Sequence, residues 1–243
     1  IYNFVWADTH KGPLVVEVPP MVLGLVDDFW YRWVADIGIT GEDHGKGGKY
    51  LLLPPDYKGE IPEGYFVVKP STYGNWLVFR AFVVDGSTKP GVESVKAHFK
   101  VYSLADAANP PAMNFVNGSG VPANYVAPGD YQFWEMLNRV IQEEPSTGSD
   151  PTTLGLFASI GIEKGKPFNP DARMKAILTD AANIGAVTAR TIAFKIRGKD
   201  AYYFPNSTWR LPFFGGYKFE TSPGVMNMDG YIFYYYFATG VTP

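Results

Sequence analysis

The chain has 243 residues, 46% of them hydrophobic and 16% aromatic, a composition that supports a packed core and argues against disorder. Its 21 basic and 24 acidic residues are interspersed, which argues against nucleic-acid binding because that function gathers Lys and Arg against phosphates. The absence of cysteine excludes disulfides and thiolate chemistry. No apolar stretch reaches the roughly eighteen residues of a membrane span.

Residues 1–90 predict short strands separated by turn residues, a spacing that favours a β-sandwich. In the first strand, alternation places Val5, Ala7 and Thr9 on one face, with Asp8 and His10 on the other. The candidate strands are Tyr2–Asp8, Leu14–Val18, Trp30–Asp36, Lys49–Leu53, Tyr65–Lys69 and Trp76–Val84.

After residue 86 the hydrophobic period becomes helical. Residues 105–129, rich in Ala, Asn, Pro and Gly, predict a long surface loop. The sequence predicts a last, aromatic helix after Asp229. Tyr231, Tyr234 and Tyr235 share one face of this helix, and packing is the favoured role of that face over stacking on a ligand. The other predicted helices are Pro90–Leu104, Tyr131–Glu143, Pro151–Ile160 and Pro170 to about Ile196.

The longest of these helices has a nearly complete set of entry signals. Asn169 can cap it, Pro170 suits its first position, and Asp171 would face the positive end of the helix dipole. The chain opens on Ile1 within a strand pattern and stops at Pro243 just after a helical one. We therefore expect a fragment of a longer protein, with any signal peptide upstream.

Three segments of the chain resemble one bacterial family, in which domain of unknown function 1254 precedes domain of unknown function 1214. Residues 1–20 are similar to an early strand pair that passes through a Gly-Pro turn. Residues 45–65 resemble a glycine-rich turn, a strand and a paired-proline stop, and residues 161–171 resemble the turn before a central helix.

The resemblance implies a mainly β, α+β fold and a bacterial protein that is periplasmic or secreted. A jelly-roll β-sandwich would be followed by a helical segment and a second, incomplete jelly roll. The expected domains are residues 1–88, 89–198 and 199–243. Because jelly rolls protect their exposed edges by packing and often assemble, we expect a homo-oligomer such as a trimer.

The Asp8-Thr9-His10 triplet places a carboxylate and an imidazole on one strand face. This spacing could bind a metal or form an acid/base pair. A strand end with exposed polar residues is the favoured interpretation, since paired groups are only probabilistic markers of a site. We therefore predict no metal centre and keep Asp8 and His10 as candidate ligand-binding residues.

The glycine-rich run Gly41–Gly48 superficially resembles a phosphate-binding loop. It lacks the spacing, the Ser or Thr after Lys46, and the following helix that such a loop requires. A flexible turn between strands is therefore the favoured interpretation. His44 within it could still project into a pocket and is a candidate ligand-binding residue.

Arg80 lies within the run WLVFRAFVV, which predicts a mostly buried strand. A buried charge must be paired, and Asp8, Asp36 or Glu17 could pair with it. Structural pairing is the favoured role, and Arg80 is also the best single candidate for binding an anion.

The sequence favours a binding or assembly component over an enzyme. The alternative is a hydrolase or other enzyme with a polar cleft between two sandwiches, using Asp8, His10 and Arg80. An enzyme requires these side chains to converge, whereas an assembly protein requires a large apolar surface. The residues identify neither a cofactor nor a small-molecule ligand.

Overall fold

A computed structural model describes residues 1–122, 124–146, 150–211, 213–214, 216, 219–222 and 225–238. The chain divides into two compact units, Ile1–Ser119 and Gly120–Pro243. No helix of the described part combines the length and apolar character needed to cross a bilayer.

The first unit contains two four-stranded sheets. The first sheet has the order β1-β7-β3-β4 and is antiparallel, and the second has the order β6-β5-β2-β8 with one parallel pair, β5 and β6. One helix, α1 (Lys89–His98), follows β7. The strands are β1 (Tyr2–Asp8), β2 (Leu14–Val18), β3 (Val22–Asp28), β4 (Trp33–Gly38), β5 (Gly48–Leu52), β6 (Phe66–Val68), β7 (Gly74–Ala81) and β8 (Lys100–Ser103).

Alternate residues of both sheets form one buried core, to which α1 adds Val95. Residues 16 and 18 of β2 and residues 77, 79 and 81 of β7 all belong to it. The opposite side of the second sheet is covered by a smaller cluster around Val15, Leu51 and Tyr102. Burying apolar area at about 25 cal/mol per Å² makes this two-sided packing the main stabilising contribution to the unit.

Several elements of this unit differ from the sequence prediction, including the bounds of β4 and β7. Strand β3 was not predicted, although it is central in the first sheet. The helix predicted over Pro90–Leu104 was too long, since α1 ends at His98 and Phe99 is extended and buried. Residues 100–103 then pair with β2, because tertiary strand pairing overrides local helical periodicity.

The second unit is mainly helical in the described residues. Its core gathers Ala193, Ile196 and Ala201 with Phe233 and Tyr236 of the last helix. That packing agrees with the expectation that the aromatic helix serves packing. Its elements are α2 (Gln132–Glu143), α3 (Pro151–Ser159), α4 (Ala172–Phe194), β9 (Glu220–Ser222), β10 (Val225–Met226) and α5 (Met228–Ala238).

The entry into α4 differs in detail from the prediction. Asp171, and not Asn169, is the N-cap, and its carboxylate accepts the backbone N–H of Met174 at 2.7 Å. Asp171 is preferred because its side chain lies one position before the first helical residue, where it can satisfy a free N–H.

The expected combination of β-sheets and helices is confirmed, as a mixed α/β structure with two antiparallel-rich sheets, whereas a mainly β content stays a prediction. The jelly-roll topology and the domain boundaries at 1–88, 89–198 and 199–243 stay predictions.

Candidate functional site

The outer face of the first sheet carries a row of exposed aromatic side chains. In β1, the odd-numbered residues turn inward and the even-numbered residues turn outward. Tyr2, Phe4 and Trp6 therefore lie side by side on the outside, and 64%, 56% and 59% of their respective surfaces are exposed. Trp76 lies opposite Trp6 on β7 and is nearly buried. We call Tyr2, Phe4, Trp6 and Trp76 the aromatic face.

The rings of the aromatic face lie close to one another. The centroids of Tyr2 and Phe4 are 6.3 Å apart with planes 10° from parallel, and those of Phe4 and Trp76 are 6.0 Å apart at 8°. Trp6 lies 6.3 Å from Trp76. Near-parallel rings at these separations form a contiguous apolar surface, and such pairs add to area burial when a partner covers them.

A rigid loop extends this surface beyond the end of β3. Its Tyr31 ring lies 5.1 Å from that of Trp76, and Phe29 lies 6.3 Å from Trp6. The loop is held by the buried carboxylate of Asp28, which accepts the N–H of Trp30 at 2.8 Å and Arg32 Nε at 2.8 Å. A buried charge with this many donors fixes the local backbone, so the surrounding rings are preorganised.

Asp8 and His10 meet at one end of the aromatic face, as their spacing predicted. His10 Nδ1 lies 2.6 Å from Asp8 Oδ1, which also accepts the His10 backbone N–H at 2.9 Å. The imidazole stacks on Tyr73 with centroids 4.1 Å apart. Partial burial raises the pKa of the Asp8 carboxyl, but the hydrogen bonds from His10 outweigh it, so the pKa lies below its ordinary value.

Arg80 lies at the opposite end of the same face. Asp8 pairs with Gly74 and Tyr2 pairs with Arg80, so the two charges are separated by six residues of β7, or about 20 Å. The prediction that Arg80 is buried was wrong, because its side chain is exposed on the open side of the sheet.

The carboxylates predicted as partners of Arg80 make other contacts. Glu17 accepts the hydroxyl of Tyr102 at 2.6 Å on the second sheet, and Asp36 accepts Trp33 Nε1 at 2.9 Å. The structure therefore brings Asp8 and His10 together and leaves Arg80 apart from them.

His44 lies in the first unit on a loop that is fixed rather than flexible. It has a left-handed backbone with φ of 48° and an exposed side chain. The neighbouring buried Asp43 accepts the N–H groups of Gly38 and Gly47 at 2.7 and 3.0 Å and the hydroxyl of Tyr50 at 2.5 Å. The glycine-rich run is thus a turn built around one carboxylate, and strand β5 follows it.

Across the described ranges, no cluster of three or more His, Asp or Glu side chains is arranged to hold a metal ion. The Asp8 carboxylate and the His10 imidazole form a hydrogen-bonded pair. The ligand-binding roles of Asp8, His10, Arg80 and His44 stay predictions.

Sequence reasoning missed the aromatic face. The signal was available, because the alternation that placed Asp8 and His10 together also places Tyr2, Phe4 and Trp6 on their side of β1. Three consecutive outward positions occupied by large aromatic residues contradict the usual polar outer face of a solvated sheet.

Comparisons with known proteins agree with the sequence resemblance in part. Residues 1–103 match a family model described as "Protein of unknown function (DUF1254)". The second domain of the expected pair, domain of unknown function 1214, stays a prediction. No curated protein matches the chain.

Among solved structures, the chain is similar to the VPA0106 protein from Vibrio parahaemolyticus. The two share 18% sequence identity with a TM-score of 0.66, which shows a likeness of fold alone. The similarity covers 100% of this chain and 57% of the Vibrio protein, so the chain spans little more than half of that protein's length.

Proposed function

We propose that this chain is an assembly component that buries its aromatic face against a protein partner. The observation that carries the proposal is the contiguous exposure of Tyr2, Phe4 and Trp6 on one side of β1. Aromatic side chains cover roughly 150–250 Å² each, so three that are more than half exposed leave roughly 300 Å² of surface uncovered. That is already comparable to the largest apolar patch of a typical monomer, about 300–600 Å².

The surroundings of this patch fit a protein interface. Specific interfaces bury about 800 Å² per partner, with an apolar, aromatic-rich centre and a polar rim. The half-buried side chains of Leu23, Leu25 and Val78 lie beside the aromatic face in the same outward rows. Arg80 lies at one end of the patch and Asp8 at the other, so charged groups border an apolar centre.

The expected homo-oligomer belongs to this proposal. A second copy presents the same aromatic face, so two copies together contribute roughly 600 Å² of aromatic surface, which would form the apolar centre of an interface that buries about 800 Å² per partner. The remaining contacts then set the dissociation constant.

Sedimentation velocity of the 243-residue chain over a concentration series tests this function. We expect a reversible oligomer whose dissociation constant rises at least about tenfold in Trp6→Ser, because central aromatic residues dominate interface energetics. Ile184→Ser is the matched control, since Ile184 is equally exposed, at 65%, but lies on α4 of the second unit. A wild-type monomer, or dissociation by Ile184→Ser alone, would overturn the proposal.

The alternative of a hydrolase rests on the Asp8 and His10 pair alone. The 2.6 Å contact orients the imidazole as an acid/base group would require. Arg80 lies about 20 Å away along the strand, which weakens a site that uses all three residues. Screening ester and glycoside substrates with the wild type and His10→Ala tests the alternative, and turnover that disappears in the variant would support it.

A periplasmic or secreted location, implied by the family resemblance, also stays a proposal. Cell fractionation tests this location. A bacterium that expresses the gene encoding this chain is separated into fractions, and the protein is detected in each.

A further inference from the structure

Among the residues that the structure describes, no strand pairs with one long edge of the first sheet. In the sheet order β1-β7-β3-β4, strand β1 pairs with β7 on one side only. Ile1 and Ala81 exchange both backbone hydrogen bonds at 3.0 Å, and at the far end the N–H of Thr9 donates to Tyr73 O at 3.0 Å. Since antiparallel pairs alternate, the odd-numbered residues of β1 bond to β7. The N–H and C=O groups of Tyr2, Phe4, Trp6 and Asp8 therefore point to the open edge.

Strand β1 lacks the features that normally protect an edge. Natural edges are short, bulged, or carry Pro or Lys. Of the other three edges of the two four-stranded sheets, β6 has three residues, β8 has four and begins with Lys100, and β4 contains a register shift at Val34. By contrast, β1 has seven residues, regular pairing, and no charge before Asp8.

We propose that β1 pairs antiparallel with β1 of a second copy across a twofold axis at Val5. The inference goes beyond the proposed function, because edge pairing joins the two aromatic faces side by side into one larger apolar surface and does not itself bury them. Phe4 of one copy lies opposite Trp6 of the other, and Tyr2 lies opposite Asp8. These pairs join only even-numbered residues, which are the ones whose backbone groups face the open edge, so hydrogen bonding and twofold symmetry are satisfied together.

The side chains support the same register. On the outer face, Phe4 and Trp6 of the two copies become directly opposed cross-strand pairs, twice in each dimer, which joins the two aromatic faces. The phenol of Tyr2 meets the carboxylate of Asp8. Arg80 of β7 pairs with Tyr2 and so lies two strands, about 10 Å, from Asp8 of the other copy, which places opposite charges at the same end of the joint.

Other pairings of the same edge satisfy fewer of these conditions. A parallel arrangement would place Asp8 beside Asp8, and like charges in register are unfavourable. Centring the axis on Phe4 or Trp6 preserves the hydrogen-bond alternation but leaves part of the strand unpaired. Only the axis at Val5 pairs all seven residues of β1. The twofold also favours a dimer over the trimer that the sequence suggested.

Single-cysteine crosslinking tests the register, because the chain has no cysteine of its own. In the proposed dimer, the two Val5 residues form a non-hydrogen-bonded pair with Cα atoms about 4.5 Å apart. That distance lies within the range of a disulfide, about 4.4–6.8 Å. Asn3→Cys is the matched control. Asn3 is also half-buried and points inward, but in the proposed dimer it would lie about 13 Å from Asn3 of the second copy.

We expect Val5→Cys to form a disulfide-linked dimer under mild oxidation and Asn3→Cys to remain unlinked. Crosslinking of Asn3→Cys, or of neither variant while sedimentation still shows an oligomer, would overturn the β1 pairing and leave the proposed assembly standing. A wild-type chain that is monomeric in sedimentation would overturn both.

A second comparison removes the dependence on cysteine. Phe4→Pro and Phe4→Ser both lose the ring, but only the proline also loses the N–H that points to the open edge. The ladder to β7 does not use that N–H, so the fold tolerates either residue. We expect the dimer of Phe4→Pro to dissociate about tenfold more readily than that of Phe4→Ser, since two edge hydrogen bonds are lost per dimer. Equal dissociation constants would contradict edge pairing.

Discussion

Replacing Tyr50 by Phe is expected to destabilise the first unit by about 2 kcal/mol, the typical contribution of a hydrogen bond to a charged group. The Tyr50 hydroxyl donates to Asp43 Oδ1 at 2.5 Å and accepts the Asp43 backbone N–H at 3.2 Å, and both residues are buried. The change leaves the ring, and therefore the core volume, intact. What is lost is one of three donors to a buried carboxylate, whose other donors are Gly38 and Gly47.

The size of the effect can be expressed as a melting temperature. At about 2.1 cal/mol/K per residue, a unit of 119 residues unfolds with an entropy of about 0.25 kcal/mol/K. A loss of about 2 kcal/mol then lowers its midpoint by roughly 8 °C. Calorimetry of wild type and Tyr50→Phe measures this shift directly. Tyr57→Phe is the control, because the Tyr57 hydroxyl donates to Glu60 O at an exposed site.

The same pair makes the effect depend on pH in a definite direction. Burial and the neighbouring Asp43 carboxylate raise the pKa of Tyr50 above its ordinary value. A raised folded-state pKa contributes stability that is complete below the unfolded value, about 10, and is lost as pH rises above it. The difference in unfolding free energy between wild type and Tyr50→Phe should therefore be constant below about pH 9 and become smaller above about pH 10. A difference under about 0.5 kcal/mol that does not change with pH would refute this account.

Three further substitutions test other parts of the fold. Asp28→Asn should cost about 2 kcal/mol by urea unfolding, because it removes the charge that anchors the loop after β3, and unchanged stability would contradict that role. Gly24→Ala should disrupt the β3–β7 pairing, since the new Cβ would lie 2.5 Å from the backbone oxygen of Val78. In Gly185→Ala the new Cβ would meet open space on α4, so this change should raise the free energy of unfolding by up to about 1 kcal/mol. The hydrogen bond from Arg197 lowers the pKa of Asp229, so Asp229→Asn should destabilise at pH 7, and the deficit should disappear as pH falls through that lowered pKa. A deficit that persists at the lowest pH would refute the ion pair.

Local patterns predicted those elements whose boundaries are marked by turn residues. Strands β1 and β2 have the predicted bounds, because alternation ends at Gly-Pro and Pro-Pro pairs. Strand β3 was missed because Gly24 and the acidic pair Asp27 and Asp28 resemble a turn. Both aspartates are buried. The Asp28 carboxylate is stabilised there by hydrogen bonds from Arg32, which lies beyond the end of the strand, and from Ser71, which is distant in sequence. A compensation of this kind has no local signature.

The candidate site was predictable to the extent that it depends on strand alternation. The contact between Asp8 and His10 follows from their spacing. The exposure of Arg80 does not, because a run of apolar residues looks the same whether a strand is covered on both faces or only one. Whether the outer face of β7 is open depends on the arrangement of the two sheets, which the run itself does not encode.

Alternation also separates stability from association within the same strands. The inward residues of β7, Leu77 and Phe79, belong to the core that joins the two sheets. The outward rings of β1 and β7 contribute little to that core, yet they are held at fixed spacing by the strands beneath them. A rigid apolar surface loses little conformational entropy when it is covered, so each Å² that it buries contributes more fully to association. Aromatic side chains that moved freely in solvent would lose more conformational entropy when a partner covers them. The three rings at fixed spacing on β1, beside an open strand edge, therefore favour assembly over a sheet surface that stays exposed to solvent.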